Sequence, residues 1–271
     1  MADEDWLEVC RLCVADIRGV LERLPTRAER EPVLRRGEGG DDTTVIDQSA
    51  EDVVVTRLGQ LGADMTLVSE ELGERAFGRG GDLRVIVDPI DGSVNAKRGI
   101  PFFSFSLAVS EGPAMDDVVF GYVYDFGSGE EWTAWRGRGA LLDGEPLGST
   151  GPKEAIEILS FEATTTPAIA ERIAGVVGLA GRIRVMGSLA LSLCHLAAGR
   201  VDAVCSLKGA RSVDIAAAQL LVRERGLAIE LVDDPPFGAA PLDLVMRSRV
   251  AAAANPELVT RLAAALDAGG R

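Results

Sequence analysis

The sequence predicts an α+β protein of two halves, an antiparallel-sheet half followed by a mixed α/β half. In residues 84–147, apolar segments that alternate or run continuously are joined by short Gly-rich turns, which favours antiparallel strands. From about residue 156 onward, short apolar strands alternate with helical patterns, which favours layered α/β packing. A chain of 271 residues with 47% hydrophobic content is long enough to bury a sizeable core.

The first half begins with an amphipathic helix at 4–24, where apolar side chains recur at helical spacing until Pro25 ends the pattern. A Gly- and Asp-rich loop is expected at 35–44 and a second helix at 47–61. The other expected elements of this half are a strand in DMTLVSEE that ends in acids, a loop at 72–82, strands in LRVIV, FFSFSLAVS, VVFGYVYD and EEWTAWRG, and a hairpin in GRGALLDGEPL.

The second half starts at a seam near Gly148–Lys153, so we expect residues 1–148 and 149–271 to form the two halves. Glycines close two of its helices, and an Asn-Pro pair opens the last one. The expected elements are strands in AIEILSF, GRIRVMG, VDAVCSL, GLAIELVD and RVAAAA, helices at 167–178, 188–198, 213–225 and from 256 onward, and a loop in DPPFGAAP.

The composition limits the partners of this protein. A formal net charge of −14 and a pI near 4.6 disfavour nucleic acid and anionic membranes, and no apolar run reaches the roughly 18 residues of a membrane span. The N-terminal MADEDWLEVC carries acids where a signal peptide needs basic and then apolar residues. Four cysteines in a chain of this length do not form a disulfide framework. We therefore expect a cytoplasmic protein with a solvated acidic surface, which is also compatible with metal binding.

Two aspartates, Asp88 and Asp91, follow the expected strand LRVIV and flank a Pro-Ile pair. Ligands bind outside the carboxyl ends of strands in open α/β sheets, and the proline stiffens the turn. Gly92 and Ser93 are placed to open a short helix whose free amides favour phosphate. Two carboxylates beside an anion site need cations between them, and hard ions such as Mg²⁺ take oxygen ligands. The alternative is an Asx-turn in which Asp91 is a helix N-cap.

Further acids lie at the ends of expected elements. Glu70 and Glu71 follow the strand TLVS, whereas Asp47 and Asp214 open helices. Taken singly, the two glutamates fit the start of a solvated loop, and the two aspartates fit caps or first-turn acids favoured by the helix dipole. Their joint occurrence at element ends, together with the two aspartates after LRVIV, indicates one site where several carboxylates meet.

The sequence also contains a competing motif. Cys205 and Arg211 in CSLKGARS have the spacing of the phosphate-binding loop of cysteine-dependent phosphatases, in which a thiolate attacks phosphorus and the arginine holds the oxyanion. The match is short, and an Arg-rich chain produces it by chance. The single histidine, His195, is expected on a helix, facing the core or capping it, which argues against a His-rich zinc site and a Ser-His-Asp triad.

The segment VDPIDGSVN resembles the D-P-I-D-G-[ST] signature of the inositol monophosphatase and fructose-1,6-bisphosphatase superfamily, the magnesium-dependent, lithium-sensitive sugar phosphatases. The likeness extends over nearly the whole chain. DDTTVIDQSAED resembles the family's mobile loop and following helix, VSEELGE its Glu-Glu segment, GIPFFSFSLAV and GRGALLDGEPL its core hairpins, and RSVDIAAA its C-terminal aspartate motif. VSEELG, DGS, GIPFF and R-x-VD look most like the archaeal members with dual inositol-monophosphate and fructose-1,6-bisphosphate activity. The resemblance implies alternating α/β/α/β/α layers, the sugar-phosphatase fold.

The resemblance also implies two to three Mg²⁺ ions in each active site, with Mn²⁺ as a substitute. It assigns Glu70, Asp88 and the backbone carbonyl of Ile90 to the first ion. It assigns Asp88, Asp91 and Asp214 to the second ion, and Glu70 with waters to a third, weaker one. The complete set of ligands argues against a catalytically silent, metal-binding paralogue.

The reaction implied by the resemblance is hydrolysis of a phosphate monoester by in-line attack of a metal-activated water, without a covalent phosphoenzyme. Glu70 and the Ser93 hydroxyl would align the water and accept its proton, and Asp47 would support them through Ser93. Asp91 and the amides of Gly92 and Ser93 would contact the substrate phosphate. We expect inositol 1-phosphate and fructose 1,6-bisphosphate as substrates, with 3′-phosphoadenosine 5′-phosphate or NADP as alternatives within the same fold.

The part of the site that selects the substrate is less constrained. By the resemblance, Gly187 and Ser188 in MGSLA match the segment that contacts the substrate ring. Lys208 and Arg211 are candidates for binding a second phosphate, or are solvated loop charges. Leu207 stands where the animal inositol enzymes have a glutamate that contacts inositol, so strict inositol specificity is not expected. The family commonly forms homodimers, which we carry over as an expectation.

Overall fold

The structure of this protein is a computed structural model that describes residues 3–148, 150–162, 165–234 and 236–268. Thr26 and Thr44 begin two of its helices with capping boxes. Short 3₁₀ turns lie at Met115–Asp117, Ile173–Val176 and Phe237–Ala239. The α-helices are α1 Asp3–Arg23, α2 Arg27–Arg30, α3 Val45–Gly59, α4 Ser93–Arg98, α5 Thr166–Arg172, α6 Leu189–Ala197, α7 Ser212–Glu224 and α8 Pro256–Ala268.

The strands form one large sheet, one smaller sheet and a separate two-stranded hairpin. They are β1 Val33–Arg36, β2 Asp42–Thr44, β3 Met65–Ser69, β4 Gly73–Phe77, β5 Arg84–Asp91, β6 Ser104–Ser110, β7 Val118–Asp125, β8 Glu131–Trp135, β9 Gly139–Leu142, β10 Glu145–Pro146, β11 Ile158–Glu162, β12 Arg182–Arg184, β13 Ala203–Ser206, β14 Ala228–Leu231 and β15 Val250–Ala253.

The large sheet has the strand order β10-β9-β8-β7-β6-β5-β3-β4, and all its neighbours are antiparallel except the parallel pair β3 and β5. The antiparallel meander predicted for the first half is therefore confirmed. The smaller sheet has the order β12-β11-β13-β15-β14, in which β12, β11 and β13 are parallel and the other pairs are antiparallel.

Three hydrophobic clusters hold five layers together, and one of them covers both faces of the middle helix layer. Helices α1 and α3 pack on one face of the large sheet, burying Cys10, Cys13 and Ile17 of α1 completely. Helices α6 and α7 cover the other face and separate it from the smaller sheet. Helix α8 packs on the outer face of the smaller sheet. The predicted α/β/α/β/α layering is confirmed.

The large and small sheets meet around one shared core, because α6 and α7 follow the smaller sheet's first strand in sequence yet pack on the large sheet. The change of sheet falls between Pro146 and Ile158, around the predicted seam at Gly148–Lys153. Ser149 in that seam lies outside the described residues, as does Pro235 in the expected loop DPPFGAAP. The boundary of the two halves stays a prediction. None of the described helices has the length and apolarity needed to cross a membrane.

Three local expectations were wrong. The segment 35–44 is not only a loop, since β1 and β2 pair across it, and 72–82 contains β4, which pairs with β3 along the edge of the large sheet. These pairs are made by main-chain groups, so their strands can be polar and mostly exposed and carry no apolar pattern. The helix predicted at 167–178 ends at Arg172 and continues as a 3₁₀ turn.

Candidate active site

Strand β5 brings two aspartates to the same cleft through a β-bulge. In a regular strand, residues three positions apart point to opposite faces of the sheet. Against β6, Asp88 pairs with Ser106. Asp91 pairs with Ser104, so β5 contains one residue more than its partner over this stretch. The extra residue, within Pro89–Ile90, allows both carboxylates to line one cleft, and a bulge is one of the few strand positions that accept proline.

The cleft has a volume of about 810 Å³, and nine carboxylates and four cationic side chains are among the described residues that line it. Carboxylate oxygens of Glu70, Asp88 and Asp214 lie within 4.8 Å of one another. Glu70 directly follows β3, and Asp214 lies in the first turn of α7. The ends of β3 and β5 and the start of α7 therefore meet, as the sequence predicted for acids at element ends.

Burial and repulsion from neighbouring carboxylates raise the pKa values of Glu70 and Asp88. Burial raises the pKa of Glu70, which Arg211 opposes and Asp214 reinforces. Burial also raises the pKa of Asp88, with further increases from Glu70 and Asp91. Cations bound beside these carboxyl groups favour their ionised forms and reduce the repulsion between the carboxylates. The electrostatics of this cluster therefore suit divalent cations.

The guanidinium of Arg211 lies within this carboxylate cluster. Its Nη2 atom is 2.7 Å from Glu70 Oε1 and 3.1 Å from Asp214 Oδ1, and Nη1 is 3.4 Å from Asp41 Oδ2. A cation thus already sits between Glu70 and Asp214, which supports the fit of this donor set to positive charge. This contact differs from both roles that the sequence left open for Arg211, a contact to a second phosphate and a solvated loop charge. Lys208, the other expected cation, is exposed at the cleft.

Asp47 closes one end of the cleft. Its Oδ2 accepts hydrogen bonds from Thr44 N at 3.1 Å and Thr44 Oγ1 at 2.6 Å, as in the helix-capping alternative. Its Oδ1 is buried and has no hydrogen-bond partner among the described residues. A cavity of about 10 Å³, close to the volume that holds one water, adjoins Asp47, Glu70, Asp88 and Ser93. A buried carboxylate oxygen of this kind fits a water or cation, so the residues present fit a hard metal ion.

The short helix predicted after β5 is α4. Gly92 adopts a left-handed conformation with φ 91°, and a Cβ there would lie 3.0 Å from the Gly187 carbonyl oxygen. The Ser93 hydroxyl donates to the Ile90 carbonyl at 2.9 Å. No hydrogen bond joins Asp47 to Ser93 in the part of the chain that the structure describes, so the coupling predicted between them needs a bridging group such as the water-sized cavity could hold.

The segment MGSLA is held against the end of β5. Ser188 is buried, donates its hydroxyl to Asp91 and caps α6 by accepting from Leu191 N. Ala190 N donates to Asp91 at 3.0 Å. Gly187 lines the cleft, whereas the Ser188 hydroxyl is engaged internally. Contact of this segment with a substrate ring stays a prediction.

Sequence reasoning missed Glu162, at the end of β11. This fully buried carboxylate accepts hydrogen bonds from Gly187 N at 2.7 Å, Met186 N at 3.2 Å and the hydroxyls of Ser160 and Ser192, each at 2.8 Å. It therefore fixes the backbone of the MGSLA segment. The expected strand AIEILSF stopped one residue short of it, although an acid at the end of a buried strand is the signal that identified Asp88.

Sequence reasoning also missed Lys97 and Asn95 on α4. Lys97 Nζ lies 3.6 Å from Asp47 Oδ2. The Asn95 amide donates to the Phe102 and Met186 carbonyls, both at 2.7 Å, and so joins α4 to the MGSLA segment. Lys97 lies four residues after Ser93 and so shares its helix face, which was the available signal for Lys97; the position of Asn95, two residues after Ser93, carried no such signal.

The cysteine-dependent alternative is wrong. Cys205 lies in β13 with no exposed surface, inside the core between the smaller sheet and α8. Burial raises the pKa of its thiol to about 12, so the thiolate needed as a nucleophile does not form at neutral pH. Arg211 meanwhile contacts Glu70 and Asp214. Leu207 is also buried in this core and does not face the cleft.

Solved structures with the same fold include one described as an inositol monophosphatase-fructose 1,6 bisphosphatase, with a TM-score of 0.83 and 25% identity over 96% of this chain and 99% of the other. Among curated proteins, the fructose-1,6-bisphosphatase/inositol-1-monophosphatase of Thermococcus kodakarensis is 35% identical over 84% of each chain. The protein of the same name from Methanothermobacter thermautotrophicus is 31% identical over 92% of this chain and 96% of its own.

These relatives match most of the length of this chain. Its candidate site combines the bulged Asp-Pro-Ile-Asp strand end, the glutamate after β3 and the aspartate that opens α7. Residues 8–270 match the family model described as the inositol monophosphatase family. Acidic clusters able to hold metal, as this metal-dependent family requires, are present in the described residues. This chain belongs to the inositol monophosphatase family.

Proposed function

We propose that this protein is a Mg²⁺-dependent phosphatase that hydrolyses inositol 1-phosphate and releases the 1-phosphate of fructose 1,6-bisphosphate. The observation that carries the proposal is the meeting of Glu70, Asp88 and Asp214, whose carboxylate oxygens lie within 4.8 Å of one another in a large cleft. The names of the Thermococcus and Methanothermobacter relatives support the same pair of substrates.

The proposed metal ligands are the carboxylates of Glu70, Asp88, Asp91 and Asp214 with the Ile90 carbonyl. All are oxygen donors, which suits Mg²⁺, with Mn²⁺ as a substitute. When bound, two such ions would neutralise the phosphate dianion, lower the pKa of an attacking water and stabilise the leaving oxygen. The raised pKa values of Glu70 and Asp88 support this assignment, since cations favour their ionised forms.

The chain's own groups orient the substrate and move the proton. The amides of Gly92 and Ser93, at the start of α4, would donate to the phosphate oxygens. The Ser93 hydroxyl, which donates to the Ile90 carbonyl, keeps its lone pairs available to the attacking water. Glu70 would accept the proton of that water. Asp214 would lie near the leaving oxygen, which would take its proton from a water there.

Substrate choice rests on the outer part of the cleft. A volume of about 810 Å³ accommodates a hexose bisphosphate as well as an inositol phosphate. Leu207 is buried in the core and offers no carboxylate to inositol hydroxyls. Lys208 is exposed, and its ammonium is available to a second phosphate. The bisphosphate is therefore the substrate with more charged contacts.

A homodimer and a cytoplasmic location stay predictions, and the first comes from the family resemblance. Multi-angle light scattering after size-exclusion chromatography measures the first directly. A dimeric mass is the expected result, and a monomer at micromolar concentration would contradict it.

The proposed activity is tested by phosphate release from inositol 1-phosphate, fructose 1,6-bisphosphate, 3′-phosphoadenosine 5′-phosphate and NADP, with Mg²⁺ and with EDTA. We expect release from the first two, only with Mg²⁺, and its loss in Asp214→Asn. Asp64→Asn is the matched control, because Asp64 is an exposed acid paired with Arg79 away from the cleft. Release confined to the nucleotides would refute the substrate assignment, and release in EDTA would refute the metal mechanism.

A further inference from the structure

Arg211 contacts both carboxylate oxygens of Asp214. It is the residue immediately before α7, and Asp214 lies three positions later in the first turn of that helix. The backbone N–H of Arg211 donates to Asp214 Oδ2 at 2.6 Å, while the guanidinium donates from Nε to Oδ2 at 3.3 Å and from Nη2 to Oδ1 at 3.1 Å. Two parallel contacts from a planar guanidinium fix the orientation of a carboxylate as well as compensating its charge.

The same guanidinium joins Asp214 to Glu70. Its Nη2 lies 2.7 Å from Glu70 Oε1, so one nitrogen atom contacts a carboxylate of α7 and the carboxylate that follows β3. The Arg211 side chain is 9% exposed and that of Glu70 is 13% exposed. Hydrogen bonds between charged groups are stronger than neutral ones, and salt screens a partly buried pair less than a surface pair. Arg211 is therefore firmly held at this position.

Glu70 and Asp214 are also two of the proposed metal ligands. Their carboxylate oxygens and one of Asp88 lie within 4.8 Å of one another, a grouping that suits one hard ion. A guanidinium that bridges two of these carboxylates and a divalent ion bound by all three would repel each other, and this repulsion is strong in a site with little water. The two cations therefore compete for Glu70 and Asp214.

The loop between β1 and β2 offers the guanidinium another partner. Nη1 of Arg211 lies 3.4 Å from Asp41 Oδ2, and Asp41 is not a proposed metal ligand. Gly39 packs on the same nitrogen, since a Cβ at this residue would lie 2.6 Å from Nη1. Asp41 lines the cleft and is 78% exposed, so this outer pair is weaker than the inner ones. A guanidinium that left Glu70 would keep Asp41 as its partner.

We propose that Arg211 is an internal competitor of the divalent ion: its guanidinium must leave Glu70 before a metal can use that carboxylate fully, and this lowers the affinity of the cleft for metal ions. The inference rests on the proposed function for the identity of the metal ligands. Arg211 is a positioning residue, because its observed contacts are with Glu70, Asp214 and Asp41. In EDTA the same contacts stabilise the fold, since they pair carboxylates that otherwise repel each other.

The experiment compares wild type, Arg211→Gln, Arg211→Lys and the control Arg249→Gln. Glutamine removes the charge, whereas lysine keeps it as a single point that lacks the planar fork. Arg249 is the matched control, because this mostly buried arginine pairs with two aspartates, Asp233 and Asp267, outside the cleft. Mn²⁺ affinity is measured by electron paramagnetic resonance titration, Tm is measured in EDTA and in Mg²⁺, and circular dichroism checks folding.

We expect Mn²⁺ to bind Arg211→Gln about tenfold more tightly than wild type, the size of one hydrogen bond between charged groups. The affinity of Arg211→Lys should lie between the two, and Arg249→Gln should match wild type. In EDTA the Tm of Arg211→Gln should be lower than that of wild type, whereas its rise on addition of Mg²⁺ should be larger, because tighter binding stabilises the folded state more.

Nuclear magnetic resonance of isotope-labelled arginine side chains reports the displacement directly. The Nε–H signal of Arg211, assigned by its loss in Arg211→Lys, should move as Mg²⁺ is added, while that of Arg249 should not. If Arg211→Gln does not fold, the affinity of Arg211→Lys and this signal still decide the question.

Equal or weaker Mn²⁺ binding in the folded Arg211 variants, or an Arg211 signal that Mg²⁺ leaves in place, would overturn the proposal alone. Absence of phosphate release from every substrate, with tighter metal binding in the variants, would instead refute the proposed function and leave the competition standing. Failure of wild type and variants alike to bind Mn²⁺ would refute both.

Discussion

The replacement Asp91→Asn should raise the stability of the metal-free protein while it removes activity. Burial raises the pKa of Asp91, the hydrogen bond from Ser188 opposes this, and Asp214 reinforces it. For a carboxyl whose pKa is higher in the folded state, the free energy of unfolding falls as pH rises from the unfolded value, about 3.9, through the folded one. At neutral pH the ionised Asp91 therefore destabilises the fold, and a neutral amide removes that cost.

The size of the effect follows from the contacts. Each pKa unit corresponds to about 1.4 kcal/mol. The amide oxygen of asparagine can still accept the hydrogen bonds from Ser188 and Ala190 N, so most of the gain is retained. The pKa of Asp91 rises to about 7, about 3 units above the unfolded value and so about 4 kcal/mol. We expect most of this, about 3 kcal/mol, or a rise in Tm of about 8 °C for a chain of this size, in EDTA. Loss of charge neutralisation worth several kcal/mol should lower kcat about a thousandfold.

The assay is thermal unfolding of wild type and Asp91→Asn in EDTA and in Mg²⁺, with phosphate release measured in parallel. Mg²⁺ should raise the Tm of wild type and have a much smaller effect on the variant, because a ligand stabilises only the state that binds it. The control is Asp202→Asn, since Asp202 lies outside the cleft and accepts hydrogen bonds from the amides of Lys153, Glu157 and Ile158. It should be destabilised. A lower Tm for Asp91→Asn in EDTA, or an equal Mg²⁺ effect in both proteins, would refute the reasoning.

Three other predictions concern residues in and outside the cleft. Cys205→Ser should keep most phosphate release, because Cys205 is buried in the core, and loss of activity in a folded variant would contradict the metal mechanism. Lys208→Ala should raise KM for fructose 1,6-bisphosphate about fivefold, which corresponds to a contact of about 1 kcal/mol, and should leave KM for inositol 1-phosphate unchanged. Arg211→Ala should impair the hydrolysis of both substrates. The reverse pattern, in kinetics of both variants on both substrates, would assign the contact with the second phosphate to Arg211. Burial and then Arg200 lower the pKa of His195, so the unfolded state binds more protons below about pH 6.5 and stability falls as pH drops. His195→Phe should flatten this fall in denaturant titrations, and an unchanged slope would contradict it.

The antiparallel meander and the carboxylate cluster were predictable because both depend on regular signals, whereas the α/β/α/β/α layering was implied by the family resemblance. Apolar periodicity predicted α1 and the meander, and acids at element ends predicted that Glu70, Asp88, Asp91 and Asp214 would meet. The bulge in β5 was not predictable from alternation, since a spacing of three places two side chains on opposite faces of a regular strand. Only pairing with β6 shows how Asp88 and Asp91 come to share one cleft.

The remaining contacts depend on three-dimensional neighbours that no local pattern reports. Glu162 and Gly187 are 25 residues apart, and only the packing of β11 beside the MGSLA segment brings them together. Arg211 was expected at the distal end of the substrate because it precedes Asp214, yet the capping geometry of α7 turns its guanidinium toward Glu70. The polar strand β4 carries no apolar alternation, so its pairing with β3 could not be read from composition.

The metal site itself is tested most directly by an anomalous difference map from a crystal of the protein soaked in Mn²⁺. The account predicts two peaks in the cleft, one bound by Glu70 and Asp88 and one by Asp88, Asp91 and Asp214, at the short oxygen distances of a hard ion, roughly 2.2 Å. A second group able to hold a metal, Asp125, Glu130 and His195, lies elsewhere among the described residues. Peaks at that group alone, or none in the cleft, would contradict the account.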